Sequence, residues 1–346
     1  MRGGLRKLAA AAAMTVFAHG AGANGAPSVT LMSFDDLDGW TLDQHDEALG
    51  AFLETCGDLK DPEWAPVCAI AQDTADARGF FEALFLPVLI EDGNEPLFTG
   101  YFEPEIRAAR TRGGAYQYPV YATPPNLPRG QPWLTRAQID QGALSGQGLE
   151  IAFAADPVDL FFLQVQGSGR LRLPDGDVMR IGFDAKNGHS YRSVGRELIR
   201  QGHLPENRVS AQAIRAWVRA NGEAGRRMLH HNPSFVFFRL IDHVPPQKGP
   251  LGAMNRSITA HRSIAVDPDY NPLGAPVWVE KDGRTPIRRL MVAQDTGSAI
   301  KGAQRADVFY GTGAEAGEAA GRIRDGGRMI VLLPVEMALN AVRKSG

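Results

Sequence analysis

Two neighbouring stretches decide the reading: Ala293-Gln294-Asp295-Thr296-Gly297-Ser298-Ala299-Ile300-Lys301-Gly302 and Ala306-Asp307-Val308-Phe309-Tyr310-Gly311. Each places an aspartate at or near the end of an apolar, strand-like run and follows it with glycine. A third such aspartate lies upstream, in Ser263-Ile264-Ala265-Val266-Asp267-Pro268, followed by Asn271-Pro272-Leu273-Gly274. Carboxylates at strand ends can converge on a cleft. Each could equally bond the amides of its own turn, as Asp often does. Taken alone, the pattern does not choose between these readings.

Outward from this block the texture stays β-like. Phe235–Leu240, Ser263–Val266, Pro276–Glu280, Arg289–Ala293 and Met329–Leu333 read as strands, with one helix from Glu315 to Arg324 ended by Gly326. Val88–Ile90, Leu97–Tyr101 and Leu160–Val165 are bounded by Gly, Pro and Asp and also read as strands. Helical spacing returns between Ser190 and His231. Near the start, Thr41 is expected to cap a helix carrying Leu42, Leu49, Phe52 and Leu53, and a second helix is expected from Thr74 to Leu84. The coarse fold class is mainly β with peripheral helices, and barrels suit many short strands.

The 346 residues suffice for two domains, and a net charge of −2 gives no footprint for nucleic acid or anionic membrane. The pairs Arg226/Arg227 and Arg288/Arg289 read as solvated faces. Arg2, Arg6 and Lys7 precede an apolar stretch from Leu8 to Phe17, then Ala21-Gly22-Ala23. This is the layout of a signal peptide over residues 1–23, so an exported, periplasmic protein is expected. No cysteine near that junction offers a lipid attachment point. The two cysteines, Cys56 and Cys68, are expected to pair in an oxidising compartment. Neither they nor the eight histidines show metal-ligand spacing, and His230 and His231 read as surface residues.

The three aspartate segments resemble the 3D domain that closes the MltA family of lytic murein transglycosylases. The resemblance continues through Phe98-Thr99-Gly100-Tyr101-Phe102-Glu103-Pro104, Phe162-Leu163-Gln164-Val165-Gln166-Gly167-Ser168-Gly169 and Asn232-Pro233-Ser234-Phe235-Val236-Phe237-Phe238-Arg239. It runs roughly from Phe80 to Leu333. It implies a double-psi β-barrel built from 24–104 and 240–346, with a second β-domain inserted over 105–239 and a substrate groove between them. It makes Asp307 the catalytic acid. Asp295 and Asp267 match the other two aspartates and are expected to shape or polarise the site. Gln166, Ser168 and Tyr101 are candidates for groove contacts.

The implied reaction cleaves the β-1,4 bond between N-acetylmuramic acid and N-acetylglucosamine in peptidoglycan. Ordinary glycosidases need two carboxyl groups. Here the C6 hydroxyl of muramic acid is the nucleophile, so one group can act as acid and then base and leave a 1,6-anhydro end. Asp307 would need a raised pKa, from burial or from Asp295. No metal or organic cofactor is implied. The partner is the glycan strand, with cell-wall synthesis or division machinery a further candidate, and a monomer is expected. Family members are lipoproteins, so the missing cysteine puts membrane attachment in question, though outer-membrane association stays open.

Two rival readings exist. Asp295-Thr-Gly-Ser is also an aspartic protease string, but such enzymes need a second, and no other Asp-Thr-Gly or Asp-Ser-Gly occurs. A non-catalytic, glycan-binding barrel would use the aspartates only to grip sugar. Gly167-Ser168-Gly169 lacks the spacing of a nucleophile elbow.

Overall fold

The computed structural model describes residues 26–345. The expected signal peptide, 1–23, lies outside them. Along the chain, strand β1 (Ser28–Leu31) is followed by helices α1 (His45–Cys56), α2 (Trp64–Asp73) and α3 (Ala77–Leu84), then β2 (Phe85–Glu91) and β3 (Leu97–Glu103). Next come β4 (Glu105–Ala109), β5 (Tyr118–Tyr121), α4 (Arg136–Asp140), β6 (Glu150–Ala154), α5 (Pro157–Gln166), β7 (Ser168–Arg172) and β8 (Val178–Lys186). Helices α6 (Val194–Arg200), α7 (Ala211–Ala220) and α8 (Gly222–Leu229) lead to β9 (Val236–Leu240). The remainder is β10 (Ser263–Val266), β11 (Pro276–Lys281), β12 (Ile287–Thr296), β13 (Arg305–Thr312), α9 (Ala314–Ala320), β14 (Arg324–Asp325), β15 (Gly327–Pro334) and α10 (Val335–Ser345).

Two sheets result. The larger has the order β1-β2-β15-β11-β12-β10-β13-β3-β14, and the smaller, β5-β6-β4-β7-β8-β9, uses only strands between Glu105 and Leu240. The closed double-psi barrel expected from the resemblance is not what the pairing shows. Among the described residues the larger ladder ends at β1 on one side and β14 on the other. It is nonetheless strongly curled. Only Gly326 separates β14, which pairs with β3, from β15, which lies six places away in the ladder and pairs with β11. Side chains rather than ladder bonds tie the curl together. Lys281 Nζ, at the end of β11, reaches Asp325 Oδ2 at 2.6 Å. Gln304 Nε2 donates to the carbonyls of Ile90 and Met329, while its Oε1 accepts from the Met329 amide.

The core forms where α1 to α3 cover the curled sheet. Phe52, Trp64, Phe80, Phe81 and Phe85 pack with ring centroids 5.1–6.3 Å apart. Buried Arg262, just before β10, holds α1 to the sheet through both oxygens of Asp43 and one of Glu47. Cys56 and Cys68 form a disulfide across α1 and α2 with Cα atoms 5.6 Å apart. Such a short loop stabilises by about 3 kcal/mol on the chain-entropy model. The smaller sheet packs Ile106, Val120, Ala152, Leu171, Ile181 and Phe238 against Leu160 and Leu163 of α5.

Several local expectations are corrected. Leu160–Val165 lies in helix α5, not in a strand. Asp156 caps its first turn, Pro157 fits the first helical position, and Gly167 ends it with φ at +81°. Thr41 sits in a short 3₁₀ turn, and α1 begins only at His45, leaving Leu42 exposed. The helix expected from Thr74 begins only at Ala77, where Asp76 caps α3 by accepting from the Gly79 amide. The helix after β13 stops at Ala320, because the chain must turn into β14 to bond β3. His230 and His231 are only partly exposed and lie near Asp140 and Glu197, respectively.

Candidate active site

Strand register builds the site. Along β13, Ala306 and Val308 point into the core, so period-two alternation puts Arg305 and Asp307 on the opposite face. Asp307 is paired with Ala265 of antiparallel β10 and with Thr99 of parallel β3. Ala265 in turn is paired with Asp295 of β12, owing to a register shift between Ile264 and Ala265. Without that irregularity Gln294 would take the place opposite Ala265. Gln294 instead faces α1 and donates to Ala51 O and Thr55 Oγ1. Asp295, Ala265, Asp307 and Thr99 thus form one row across four strands. The two carboxylate-bearing backbones are two ladder spacings apart, about 10 Å, and between them Ala265 offers only a methyl group.

The two carboxylates have different partners. Asp295 is fully engaged: Oδ1 accepts from the amides of Ala253 (3.0 Å) and Thr296 (2.9 Å), and Oδ2 accepts from the Tyr101 hydroxyl (2.8 Å). Burial nonetheless pushes its pKa up to about 6, with the charge of Asp307 adding to the rise and those three donors opposing it. Asp307 accepts through Oδ1 from the Thr99 hydroxyl at 2.7 Å, and its Oδ2 makes no hydrogen bond among the described residues. Burial raises its pKa, against the pull of Thr99 and the positive charge of Arg305. Burial rather than the Asp295 charge is therefore what lifts Asp307. The phenols of Tyr101 and Tyr310 are also raised, chiefly by burial, Tyr310 to about 12.

Asp267 lies elsewhere. It is 2 % exposed, and its oxygens accept from Lys301 Nζ, at 2.9 Å, and from the Gly302 amide, at 2.9 Å. It anchors the loop that joins Asp295's strand to Asp307's. Burial opposes its ionisation, but Lys301 and the amides outweigh it and hold the pKa below the usual carboxylate range.

Gln166, at the end of α5, accepts from the Phe102 amide at 3.0 Å and so links the smaller sheet's helix to β3. Ser168 opens β7 opposite Gly182 of β8. The joint between the sheets is completed by Glu103, which is fully buried, receives Arg170 and Arg180 at 2.9 Å each and accepts from Thr312 Oγ1 at 2.8 Å. Thr99, Arg305, Ala253 and Ala265 were not singled out from sequence. Thr99 and Arg305 each stand two residues from a chosen residue, Tyr101 or Asp307, and strand alternation would have put them on the same face. Ala253 belongs to a strap, 242–258, that lies over Asp295. A side chain at Gly252 would come 2.5 Å from the Gln294 carbonyl. Among the described residues no cluster of three or more His, Cys, Asp or Glu side chains is arranged to hold a metal ion.

Two family models cover this framework: the MltA specific insert domain matches residues 97–239 and the 3D domain matches 262–333. A crystal structure of a membrane-bound lytic murein transglycosylase from Agrobacterium tumefaciens superposes with a TM-score of 0.82 at 32 % identity, covering 92 % of this chain and 100 % of that one. The chain belongs to the MltA family. Membrane-bound lytic murein transglycosylase A of Escherichia coli is 39 % identical over 246 residues, or 68 % of this chain and 65 % of the relative. The match therefore spans just under two thirds of that relative's length. The Escherichia coli MltA structure with bound chitohexaose has a TM-score of 0.71 at 32 % identity, covering 86 % of this chain and 90 % of that chain. In MltA terms, Asp295 and Asp307 both fall in the 3D domain, whereas Thr99, Tyr101 and Gln166 fall in the stretch matched by the insert model. No helix among the described residues is long and apolar enough to cross a membrane.

Proposed function

We propose that this protein is a peptidoglycan lytic transglycosylase in which Asp307 serves as acid and then base. The observation that carries the reading is Asp307 Oδ2. It is the one oxygen of the two carboxylates in the row that no donor among the described residues occupies, on a carboxyl whose pKa burial raises. Protonated, it donates to the glycosidic oxygen as the bond between N-acetylmuramic acid and N-acetylglucosamine breaks. The resulting carboxylate then takes the proton of the C6 hydroxyl as that oxygen closes on C1. Atoms balance without water, and the product is a 1,6-anhydromuramoyl end. Substrate seated over the row would exclude water and raise Asp307 further.

Residues 105–239 are read as an inserted unit facing the curled sheet, with the glycan passing between them near Tyr101 and Gln166. Binding of chitohexaose by the Escherichia coli relative supports a glycan ligand. Work at the periplasmic cell wall is supported by the relatives named as membrane-bound murein enzymes and by the signal-like N-terminal sequence. A shared-proton protease dyad is disfavoured because no hydrogen bond joins Asp295 to Asp307 and Asp295's oxygens are taken by Tyr101 and two amides.

Mass spectrometry of muropeptides released from purified sacculi tests the reading. The expected products are one water lighter than those of a hydrolase and carry no free reducing end at the muramic acid. Reducing ends would mean that water attacks, and the single-carboxylate mechanism would be wrong.

A further inference from the structure

The contacts around Asp307 say more than that it can be an acid. The parallel register of β3 and β13 sets Thr99 beside it, and the Thr99 hydroxyl lies 2.7 Å from Oδ1. Arg305, two residues earlier on the same face of β13, brings Nη2 to 2.8 Å from the same hydroxyl oxygen. Its Nη1 is held by the carbonyls of Leu97 and Ala306, so the guanidinium is fixed on three sides. A guanidinium can only donate. The Thr99 oxygen must therefore accept from Arg305, and its single proton is left for Asp307 Oδ1.

We infer that Thr99 and Arg305 are positioning residues that commit Oδ1 of Asp307 as an acceptor and so reserve Oδ2 for the proton that is transferred. The inference rests on Asp307 being the acid and adds which of its oxygens reacts and what enforces the choice. Were Thr99 free to rotate, the acid proton could sit on Oδ1, turned toward the strand and away from substrate. With Arg305 behind it, Thr99 cannot become the acceptor without losing a charge-assisted hydrogen bond. The arrangement also explains why a cation so near does not spoil the acid. An arginine in direct contact commonly lowers a carboxyl pKa by about 1–3 units. Here the guanidinium reaches the carboxyl only through one hydroxyl. Once the proton has left, that same hydroxyl and charge stabilise the carboxylate that must act as base.

The test compares Thr99→Val, Thr99→Ser and Arg305→Met with the parent in turnover of sacculi against pH and in melting temperature. Valine keeps the β-branched shape that a strand favours and removes only the hydroxyl. Turnover at neutral pH should fall roughly ten- to hundredfold in Thr99→Val, the scale on which small misplacements of a reacting group are felt. The alkaline limb of its pH profile should move to higher pH, because a donor to the charged form is gone. Thr99→Ser should restore both, and Arg305→Met should move the limb in the same direction. An unmoved limb in Thr99→Val, or an activity loss that tracks melting temperature and is not rescued by serine, would overturn the proposal. Titration of the Asp307 carboxyl by ¹³C NMR in the parent and in Thr99→Val reads the same shift with no turnover. If Asp307→Asn were active, the assignment of the acid would fail, while the NMR titration would still decide the Thr99 contact.

Discussion

Asp267 and Asp307 stand on neighbouring, paired parts of one sheet, belong to the same three-aspartate signature, and behave in opposite ways. Asp267 is scarcely exposed, yet its pKa is lowered, because Lys301 and the Gly302 amide contact it directly and outweigh the cost of burial. Asp307 has its pKa raised, because burial of the carboxyl is opposed only by a neutral hydroxyl and by a cation that stands behind that hydroxyl. Burial sets how much ionisation costs, and the partners decide which sign survives. A carboxylate in contact with a cation becomes part of the scaffold. One whose cation is kept a hydroxyl away can still give up a proton.

The largest expected effect breaks this contrast at its reactive end. Asp307→Asn keeps the shape and the Thr99 contact but cannot donate and retake a proton. Turnover of sacculi should fall by about 10²–10⁴-fold, the usual worth of general acid–base help. Calorimetry should show a melting temperature no lower than the parent's, since a poorly solvated carboxyl has been neutralised. Near-parental turnover in this variant would remove the chemical difference between the two aspartates.

Next in size is the opposite change, Asp267→Asn, which should cost stability rather than chemistry. Losing a charge-assisted contact to Lys301 and weakening the bond to Gly302 should cost about 1–3 kcal/mol, read by denaturant titration. The pH dependence follows from the lowered pKa. Asp267's contribution is present above its unfolded value of about 3.9 and is lost as pH falls through its folded value. The stability gap between parent and variant should therefore close on acidification below about pH 4. A gap that is constant with pH would mean that Asp267 is held by shape rather than by charge.

How much of this could be read beforehand differs by level. Strand Ser263–Val266 and the aspartates around it were legible, because a short β-branched run bounded by Asp-Pro has few other readings. The segment Leu160–Val165 was not, since an apolar run of that length fits a buried strand or a buried helix equally. The deciding Asp156-Pro157 and Gly167 lie just outside it. The helix Trp64–Asp73 is hard to read from sequence, since a proline inside a helix usually breaks it, whereas Pro66 in the first turn costs no hydrogen bond. The row Asp295-Ala265-Asp307-Thr99 depends on a register shift between Ile264 and Ala265 that no residue type announces. The resemblance alone points to Asp307 as the proposed acid. The Thr99 and Arg305 contacts needed the register of β3 against β13, which brings together residues 206 and 208 positions apart.

The smallest effect sharpens the comparison at its third member, Asp295, which shares features of both extremes. Like Asp267 it accepts several hydrogen bonds, and like Asp307 it has no cation in contact. Its raised pKa of about 6 means the folded protein is favoured while Asp295 is protonated, and that advantage is lost as pH rises from about 4 through 6. Tyr101→Phe removes one donor to the charged form and nothing else from the carboxyl. The pKa of Asp295 should then rise further, and ¹³C NMR of its carboxyl would read the shift. If the site works with Asp295 ionised, the acidic limb of the pH–activity profile should lie near 6 in the parent and move upward in Tyr101→Phe. Turnover at neutral pH would fall only several-fold, since about one pKa unit changes the ionised fraction by at most tenfold. A limb that stays in place while the NMR titration moves would assign Asp295 to holding the Ala253 strap and Tyr101, and would leave Asp307 as the one carboxyl whose protonation state the reaction reads.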